Sequence, residues 1–204
     1  MKSDREYRTL NIEVEQRNDS DEPSYIVRGY ASTFEPYVLF TDGETEYKEQ
    51  IDPHAFDETD MSDVVFRVDH EGAVYARSSA GTLEVGVDDH GLFDRADLSK
   101  TAKARALFED IAAGNYSKQS FAFTVREASY DKETHTRTIL KIDKLYDVSP
   151  VSFPANPGTE LDIATRDYFN GVIEAEKAER LECEKREKAK KALELKIKLM
   201  ESES

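Results

Sequence analysis

Apolar side chains recur at every second position in several short stretches of this chain, the spacing of strands that bury one face. The first such stretch is SYIVRGYAST at residues 24–33, and the segment before it, residues 1–23, is polar with scattered charge. The other stretches are DVVFRVDH (63–70), TLEVGV (82–87), LFDRADL (92–98), SFAFTV (120–125) and RTILKIDKLYDVSPVSF (137–153). The pattern therefore predicts a domain built mainly from strands.

Alternation also assigns individual side chains to faces of these strands. His70 would end the strand 63–70 on its apolar face, together with Val64, Phe66 and Val68. Ser120 would share a face with Ala122 and Thr124, away from the phenylalanines of the same run. A histidine and a serine therefore have predicted strand positions and faces.

Helical spacing appears once between the strands. The segment 98–116 is predicted to contain a helix, because its apolar residues Leu107, Phe108 and Ile111 are spaced to lie on one helical face. The Gly-Asn pair near the end of that segment predicts where the helix stops. The run FEPYVLFTDGET, residues 34–45, is interpreted as a strand end followed by a loop.

Shorter elements are predicted from capping and turn residues. Asp52 would cap a brief helix that begins at Pro53, where a missing N–H costs nothing, and Ala55 and Phe56 would be its buried residues. The run DDHG, residues 88–91, predicts the turn of a hairpin between the strands on either side of it.

The last part of the chain differs in composition from the rest. PANPG places two prolines within four residues and predicts the end of the strand-rich domain near residue 158. Beyond it, Glu, Lys and Ala dominate and predict a long helix with acid-to-base pairs four residues apart, interrupted early at Gly171. The predicted organisation is a polar segment at 1–23, a domain at 24–158 and a charged helical tail at 159–204.

Charge and composition exclude several classes of function. The net charge is −15, and residues 1–158 hold most of it, with 31 acidic and 18 basic side chains against 12 and 10 in residues 159–204. An acidic body repels phosphate groups, so direct binding to nucleic acid or to anionic membrane surfaces is not expected. The sequence shows neither a long apolar run nor an apolar N-terminal segment, and Cys183, the single cysteine, argues against a disulfide-stapled fold and a cysteine nucleophile.

Six short stretches between residues 24 and 160 occur in a characteristic order. They are YIVRGYASTFE, IDPHAF, VVFRVDHE, DDHGLFDRADLSKTAKA, GNYSKQSFAF and LYDVSPVSFPANPGTE. This order resembles the prohead maturation serine proteases of tailed bacteriophages, a family distantly similar to the herpesvirus assembly proteases. The resemblance implies an α+β fold with a curved, largely antiparallel sheet or β-barrel, flanking helices and a long C-terminal helical extension.

The resemblance also implies which residues act. His70 matches the family histidine and Ser120 the nucleophile of a motif resembling Ser-Phe-Gly-Phe, while Asp147 matches an acid in the leucine-acid-valine-serine stretch. The chain differs from the family pattern at Ala122 and His54, where glycine is common. A serine hydroxyl needs a base and a group that orients the base, and these three side chains would supply those roles without a cofactor or metal.

The same resemblance implies a biological setting. The substrates would be the scaffold or the scaffolding region of the major capsid protein, with self-cleavage expected as well. The protein would then act in the host bacterial cytoplasm, inside the immature procapsid, and a homodimer or higher oligomer is left open.

The same residues are also consistent with functions other than a serine protease. Ser120 is also consistent with a solvated hydroxyl and His70 with a structural residue, which would leave a non-enzymatic scaffold or assembly protein with a protease-like fold. A hydrolase that uses the same three residues on an ester is a second alternative. Ser117 is expected in the connection before the strand, and DDHG is better explained by hairpin turn chemistry than by a metal cluster.

Overall fold

The computed structural model describes residues 5–14, 24–152 and 163–202. They fall into two compact units, one ending by residue 162 and the other a single long helix after it. The strands are β1 Arg5–Val14, β2 Ile26–Thr33, β3 Tyr37–Asp42, β4 Thr45–Ile51, β5 Val65–Val68, β6 Glu71–Arg77, β7 Leu83–Val87, β8 Gly91–Asp97, β9 Lys118–Asp131 and β10 Thr136–Pro150. The helices are α1 Ala102–Ala112 and α2 Ile163–Ser202, with short 3-10 turns at Ser78–Ala80 and Leu98–Lys100.

The ten strands form one open sheet. Its hydrogen-bonded path runs β3-β4-β10-β9-β1-β2-β8-β7, and the hairpin of β5 and β6 branches from β10. Only the pairings of β10 with β4 and with β5 are parallel, so the sheet is largely antiparallel within an α+β fold, as predicted. The alternative of a closed β-barrel is wrong, because the path ends at β3 and β7 and these two strands do not pair.

The long strand β10 forms a hairpin with β9 and pairs with two further strands along its other edge. Its first half pairs with β4 and its second half with β5, while its opposite edge pairs with β9 along the whole length. The β9–β10 register shifts at four points, and such irregularities bend a hairpin. The branch of β5 and β6 is therefore placed against the end of β10 that contains Asp147.

Four strands, β1, β3, β4 and β6, are not among those predicted from the sequence. β1 lies within the segment that was interpreted as polar, and β3 and β4 lie in and just after the run that was interpreted as a loop. The first half of β1, REYRT, has no apolar alternation, because Glu6 and Arg8 stand where a buried strand face usually has apolar side chains. Only the second half, LNIEV, alternates apolar and polar residues. Glu6 and Arg8 are buried in an ionic network, so the tertiary structure overrides the pattern.

The turn and helix predictions had mixed outcomes. Residues 53–58 form consecutive turns instead of the brief helix predicted there, although Ala55 and Phe56 are buried as expected. The helix α1 is confirmed, with Thr101 Oγ1 accepting a hydrogen bond from the Ala104 N–H at 3.0 Å as its N-cap. α2 continues through Gly171 without the predicted interruption, and the predicted domain boundary near residue 158 lies outside the described residues.

The core of the first unit is packed from the apolar faces that alternation predicted. Phe121 and Phe123 of β9 are fully buried and their rings stack with centroids 4.7 Å apart. Phe66 of β5 and Leu145 of β10 are fully buried in the same cluster. The opposite face of β9, which includes Ser120, is thereby left for polar neighbours.

A buried ionic network links β1, β4 and β10. Arg8 contacts both oxygens of Glu49, at 2.5 Å from Nε and 2.7 Å from Nη2, and Arg137 donates to Glu6 at 2.6 and 2.8 Å. The Tyr37 hydroxyl donates to Glu49 at 2.5 Å. Burial lowers the pKa of Arg8, but the nearby Glu49 carboxylate and its other anionic neighbours outweigh burial and hold that pKa well above the ordinary value. The two arginines balance the two glutamates, so the charges can be buried together.

We expect Glu49→Gln to destabilise the protein by about 3 kcal/mol, because it leaves buried guanidinium charge without its partner. Urea unfolding followed by circular dichroism measures the change. Glu46→Gln on the same strand is the matched control, since Glu46 is exposed and its pair with Lys48 at 3.6 Å should contribute less than about 1 kcal/mol. Equal stabilities for the two variants would contradict a structural role for the network.

Candidate active site

The β9–β10 hairpin places Ser120 and Asp147 on one face of the sheet. Ser120 lies directly opposite Ser149, and Ala122 lies directly opposite Asp147. Paired residues of adjacent strands share a face, as do residues two apart along one strand. The three polar side chains therefore form one polar patch around Ala122, in which Ser120 and Asp147 are each only 2% exposed.

The strand β1 extends this patch on the other side of β9. Thr9 is paired with Ser120, and Tyr7 is paired with Ala122. The Tyr7 and Thr9 side chains thus point to the same face as the candidate nucleophile. Neither residue was identified from the sequence, because β1 itself was not predicted.

His70 does not end a strand, which corrects the sequence prediction. β5 stops at Val68, and Asp69 and His70 form a two-residue turn into β6, with Val68 paired to Glu71. Both turn residues have positive φ, 50° and 58°, as the primed hairpin turns require, and Asp and His tolerate this region better than bulky or β-branched residues. Because the chain reverses here, the face that alternation assigned to His70 does not apply.

The turn is held against the end of β10 by Asp69. Its N–H donates to the Pro150 carbonyl at 3.0 Å. Its carboxylate accepts from the N–H and the hydroxyl of Ser152, both at 2.7 Å. These contacts fix the position of the turn, and so of His70, relative to the strand that contains Asp147.

For the peptidase activity that the resemblance implies, we expect Asp69→Gly to lower kcat about tenfold with little change in KM. Glycine keeps the positive φ available, so the change isolates the loss of the two bonds to Ser152 and hence of the fixed imidazole position. Steady-state kinetics measure the effect. Asp57→Gly, at an exposed turn residue, serves as the control, and an equal loss in both variants would show that the contacts of Asp69 are not specific to the site.

The imidazole of His70 lies over the polar patch. Its Nδ1 is 2.6 Å from Asp147 Oδ1, and its ring centroid is 4.5 Å from that of Tyr7 at an angle of 59°. Asp147 and Tyr7 are the two register partners of Ala122, on its opposite sides. The ring is therefore on the same face of the sheet as Ser120. It lies near Ala122, which is two residues further along β9. His70 remains partly accessible, with 18% of its side chain exposed.

The contact with Asp147 determines which nitrogen of His70 can act as a base. A carboxylate only accepts hydrogen bonds, so Nδ1 holds the proton that is donated to Asp147 and Nε2 is left as the acceptor. The same carboxylate oxygen also accepts from the Ser149 hydroxyl at 2.7 Å. Ser149, which sequence reasoning missed, could have been found from its position two residues after Asp147 on a predicted strand.

The structure records no hydrogen bond between Ser120 Oγ and His70 among the residues it describes. Catalytic hydrogen bonds of this kind are often long before substrate binds and tighten in the complex. The structure therefore brings the three residues to one face, with the histidine and the aspartate in contact and the serine beside them.

The other sequence candidates lie elsewhere. Ser117 is exposed in the connection before β9, as expected. His54 is exposed in the turns after β4, and His135 lies in the turn between β9 and β10. The Asp88 carboxylate accepts from two backbone N–H groups of its own turn at 2.8 and 3.1 Å, which confirms hairpin chemistry for DDHG. In the described part of the chain no cluster of metal-ligating side chains is found.

Comparison with known proteins identifies the family. A family model for the caudovirus prohead serine proteases matches residues 11–171. The chain belongs to this family. No curated protein matches it, and no solved structure does.

This family is the one that the order of the six short stretches in the sequence resembles. The match contains Ser120, His70 and Asp147, and it begins earlier than the resemblance did, within β1. In general terms the chain is thus a prohead serine protease of a tailed phage. No described helix has the length and apolar character needed to span a membrane.

Proposed function

We propose that this prohead protease is a serine endopeptidase in which Ser120 is the nucleophile, His70 the general base and Asp147 the residue that orients the base. The observation that supports this assignment best is the 2.6 Å contact between His70 Nδ1 and Asp147 Oδ1 on the face of Ser120. It leaves Nε2 free to accept a proton, which is the state that a serine nucleophile requires.

In the proposed reaction the three side chains act in turn. Ser120 Oγ attacks the carbonyl carbon of the scissile peptide while its proton passes to His70 Nε2. The tetrahedral intermediate collapses as the imidazolium gives that proton to the leaving amine, which leaves an acyl group on Ser120. Water then repeats the sequence with the same base and releases the acid product. Asp147 stabilises the imidazolium in both halves, and Ser149 holds the carboxylate through its hydroxyl.

The proposed substrates are the scaffold or the scaffolding region of the major capsid protein, cut within the immature procapsid in the host cytoplasm. The prohead protease family supports capsid-related substrates in general. Self-cleavage between the two units is proposed as well, because a linker between compact units is a preferred site of proteolysis. Intact-mass measurement during capsid cleavage tests this step, and a chain that stays whole while capsid protein is cut would exclude it.

A serine-directed fluorophosphonate probe tests the assignment of the nucleophile without knowledge of the substrate. We expect one covalent adduct, located by mass spectrometry on the peptide that contains Ser120, with none on Ser117. The reaction should need the base, so His70→Gln should slow labelling about a thousandfold or more. Labelling of another serine at the same rate, or labelling that does not depend on His70, would contradict the proposal.

A further inference from the structure

Asp94 of β8 and Gln119 of β9 form a buried polar pair on the face of the sheet opposite Ser120. Gln119 Nε2 donates to Asp94 Oδ1 at 2.7 Å. Asp94 is 1% exposed and Gln119 is fully buried. Gln119 directly precedes Ser120 on β9, so this pair lies next to the candidate nucleophile in the chain but on the other side of the sheet.

Two atoms of the pair are unsatisfied when Asp94 is a carboxylate. Asp94 Oδ2 and Gln119 Oε1 are both buried and have no hydrogen-bond partner among the described residues. Both atoms are acceptors, so neither can satisfy the other unless a proton is added. A carboxylic acid O–H supplies that proton. It would donate from Oδ2 to Oε1 while Oδ1 accepts from Nε2, which closes a reciprocal acid–amide pair and satisfies all four atoms.

The surroundings of Asp94 favour the neutral acid. Burial raises the pKa of Asp94 to about 7, and the Gln119 hydrogen bond opposes this only in part. Its register partners on the neighbouring strands, Gly29 and Val85, are uncharged. Asp94 forms no ion pair within the described residues, although it is one of the residues that line a cleft of about 760 Å³. The other charged or titratable groups along that cleft are Glu13, Arg28, Asp88, His90 and Arg95.

Gly29 provides the space that the pair requires. A Cβ atom at this position would lie 2.4 Å from Gln119 Nε2. The Gln119 side chain therefore passes over Gly29 of β2 on its way to Asp94 of β8, although β1 and β2 separate β9 from β8 in the sheet. The pair thus connects the strand that contains Ser120 to a strand three positions away in the sheet.

We propose that Asp94 keeps its proton in mildly acidic solution, forms a reciprocal acid–amide pair with Gln119, and through this pair acts as a positioning residue for the strand that contains Ser120. The positioning part depends on the proposed function, whereas the protonation part does not. The two parts are therefore tested by separate experiments.

The protonation state is tested by the pH dependence of stability. An acid whose pKa is near 4 when unfolded and about 7 when folded stabilises the folded state fully below pH 4 and loses this contribution as pH rises to 7. Asp94→Asn is the matched reference, since its amide keeps both hydrogen bonds at every pH and leaves all other titrating groups in place. We expect the folded-to-unfolded ratio of the natural protein, relative to Asp94→Asn, to fall about tenfold per pH unit across this window and to level off above it. A flat difference would mean an ionised Asp94 and would overturn the proposal.

The positioning role is tested by the labelling rate of Ser120 at pH 6, where the pair is protonated. Asp94→Asn should stay within about threefold of the natural protein. Asp94→Leu, which removes the partner, and Gly29→Ala, which displaces the Gln119 amide, should each slow labelling about tenfold or more while the far-ultraviolet spectrum is unchanged. If Asp94→Leu fails to fold, Gly29→Ala still decides the question.

The outcomes separate the two proposals. If Asp94→Leu and Gly29→Ala are both labelled as fast as the natural protein, the positioning role is overturned. If Asp94→Asn is labelled as slowly as those two variants, the reciprocal pair is overturned. If the probe never labels Ser120, the proposed function fails, while the pH dependence of stability still decides the state of Asp94.

Discussion

Ser120→Ala is expected to abolish peptide cleavage, with a fall in kcat of about 10⁶-fold. Alanine cannot form the acyl-enzyme, and in catalytic triads the loss of the nucleophile costs about as much as the loss of the whole triad. Cleavage of the major capsid protein of the same phage, followed by gel electrophoresis and mass spectrometry, measures the effect. The methyl group of alanine fits the space that the serine occupied, so the fold should be retained.

Ser117→Ala is the matched control for this experiment. It makes the same chemical change three residues away, at an exposed position before β9, and should leave cleavage within about twofold of the natural rate. Capsid cleavage that persists in Ser120→Ala would exclude the mechanism. If instead neither the natural chain nor any variant cuts the capsid protein while assembly depends on the chain, the non-enzymatic scaffold interpretation is supported. Faster turnover of esters than of peptides would favour the ester hydrolase alternative.

Asp147→Asn is the second prediction, with an expected fall in kcat of about 10⁴-fold and a small change in KM. The amide is neutral and cannot balance the charge of the imidazolium that forms during attack. When its NH₂ group faces the ring, it donates to His70 Nδ1 and moves the imidazole proton to Nε2, where no proton can then be accepted from Ser120. Steady-state kinetics on a peptide derived from the capsid cleavage site measure the effect.

Asp143→Asn controls for the loss of one negative charge on the same strand. Asp143 is exposed on β10 four residues earlier and should tolerate the change with kcat unaltered. A small effect of Asp147→Asn, equal to that of the control, would remove Asp147 from the mechanism. His70 would then need another orienting group, and the 2.6 Å contact would be structural only.

Local pattern predicted the parts of the fold that bury an apolar face. The strands around Phe66 and Phe121, the helix α1 and the DDHG turn were all found from spacing and turn chemistry. β1 was not, because two of its inward side chains are charged and become compatible with burial only in ion pairs such as that of Arg8 with Glu49 across the sheet. Such pairing joins residues far apart in the chain, and periodicity within one segment contains no information about it.

The candidate site was predicted through the family resemblance, and its geometry was not. Alternation correctly gave the face of Ser120, since β9 is a regular strand there. It gave the wrong environment for His70, because two consecutive left-handed residues end the alternation at Val68. Tyr7 and Ser149 enter the site through strand register, which the sequence of a single chain does not reveal.

The two-residue turn at Asp69 and His70 has an evolutionary consequence. Each added residue would rotate the imidazole away from Asp147, so this loop should not change length among active relatives. The turn between β9 and β10 at residues 132–135 holds none of the proposed catalytic residues, and insertions should accumulate there instead. Natural variation in length should therefore map the parts of this fold on which catalysis does not depend.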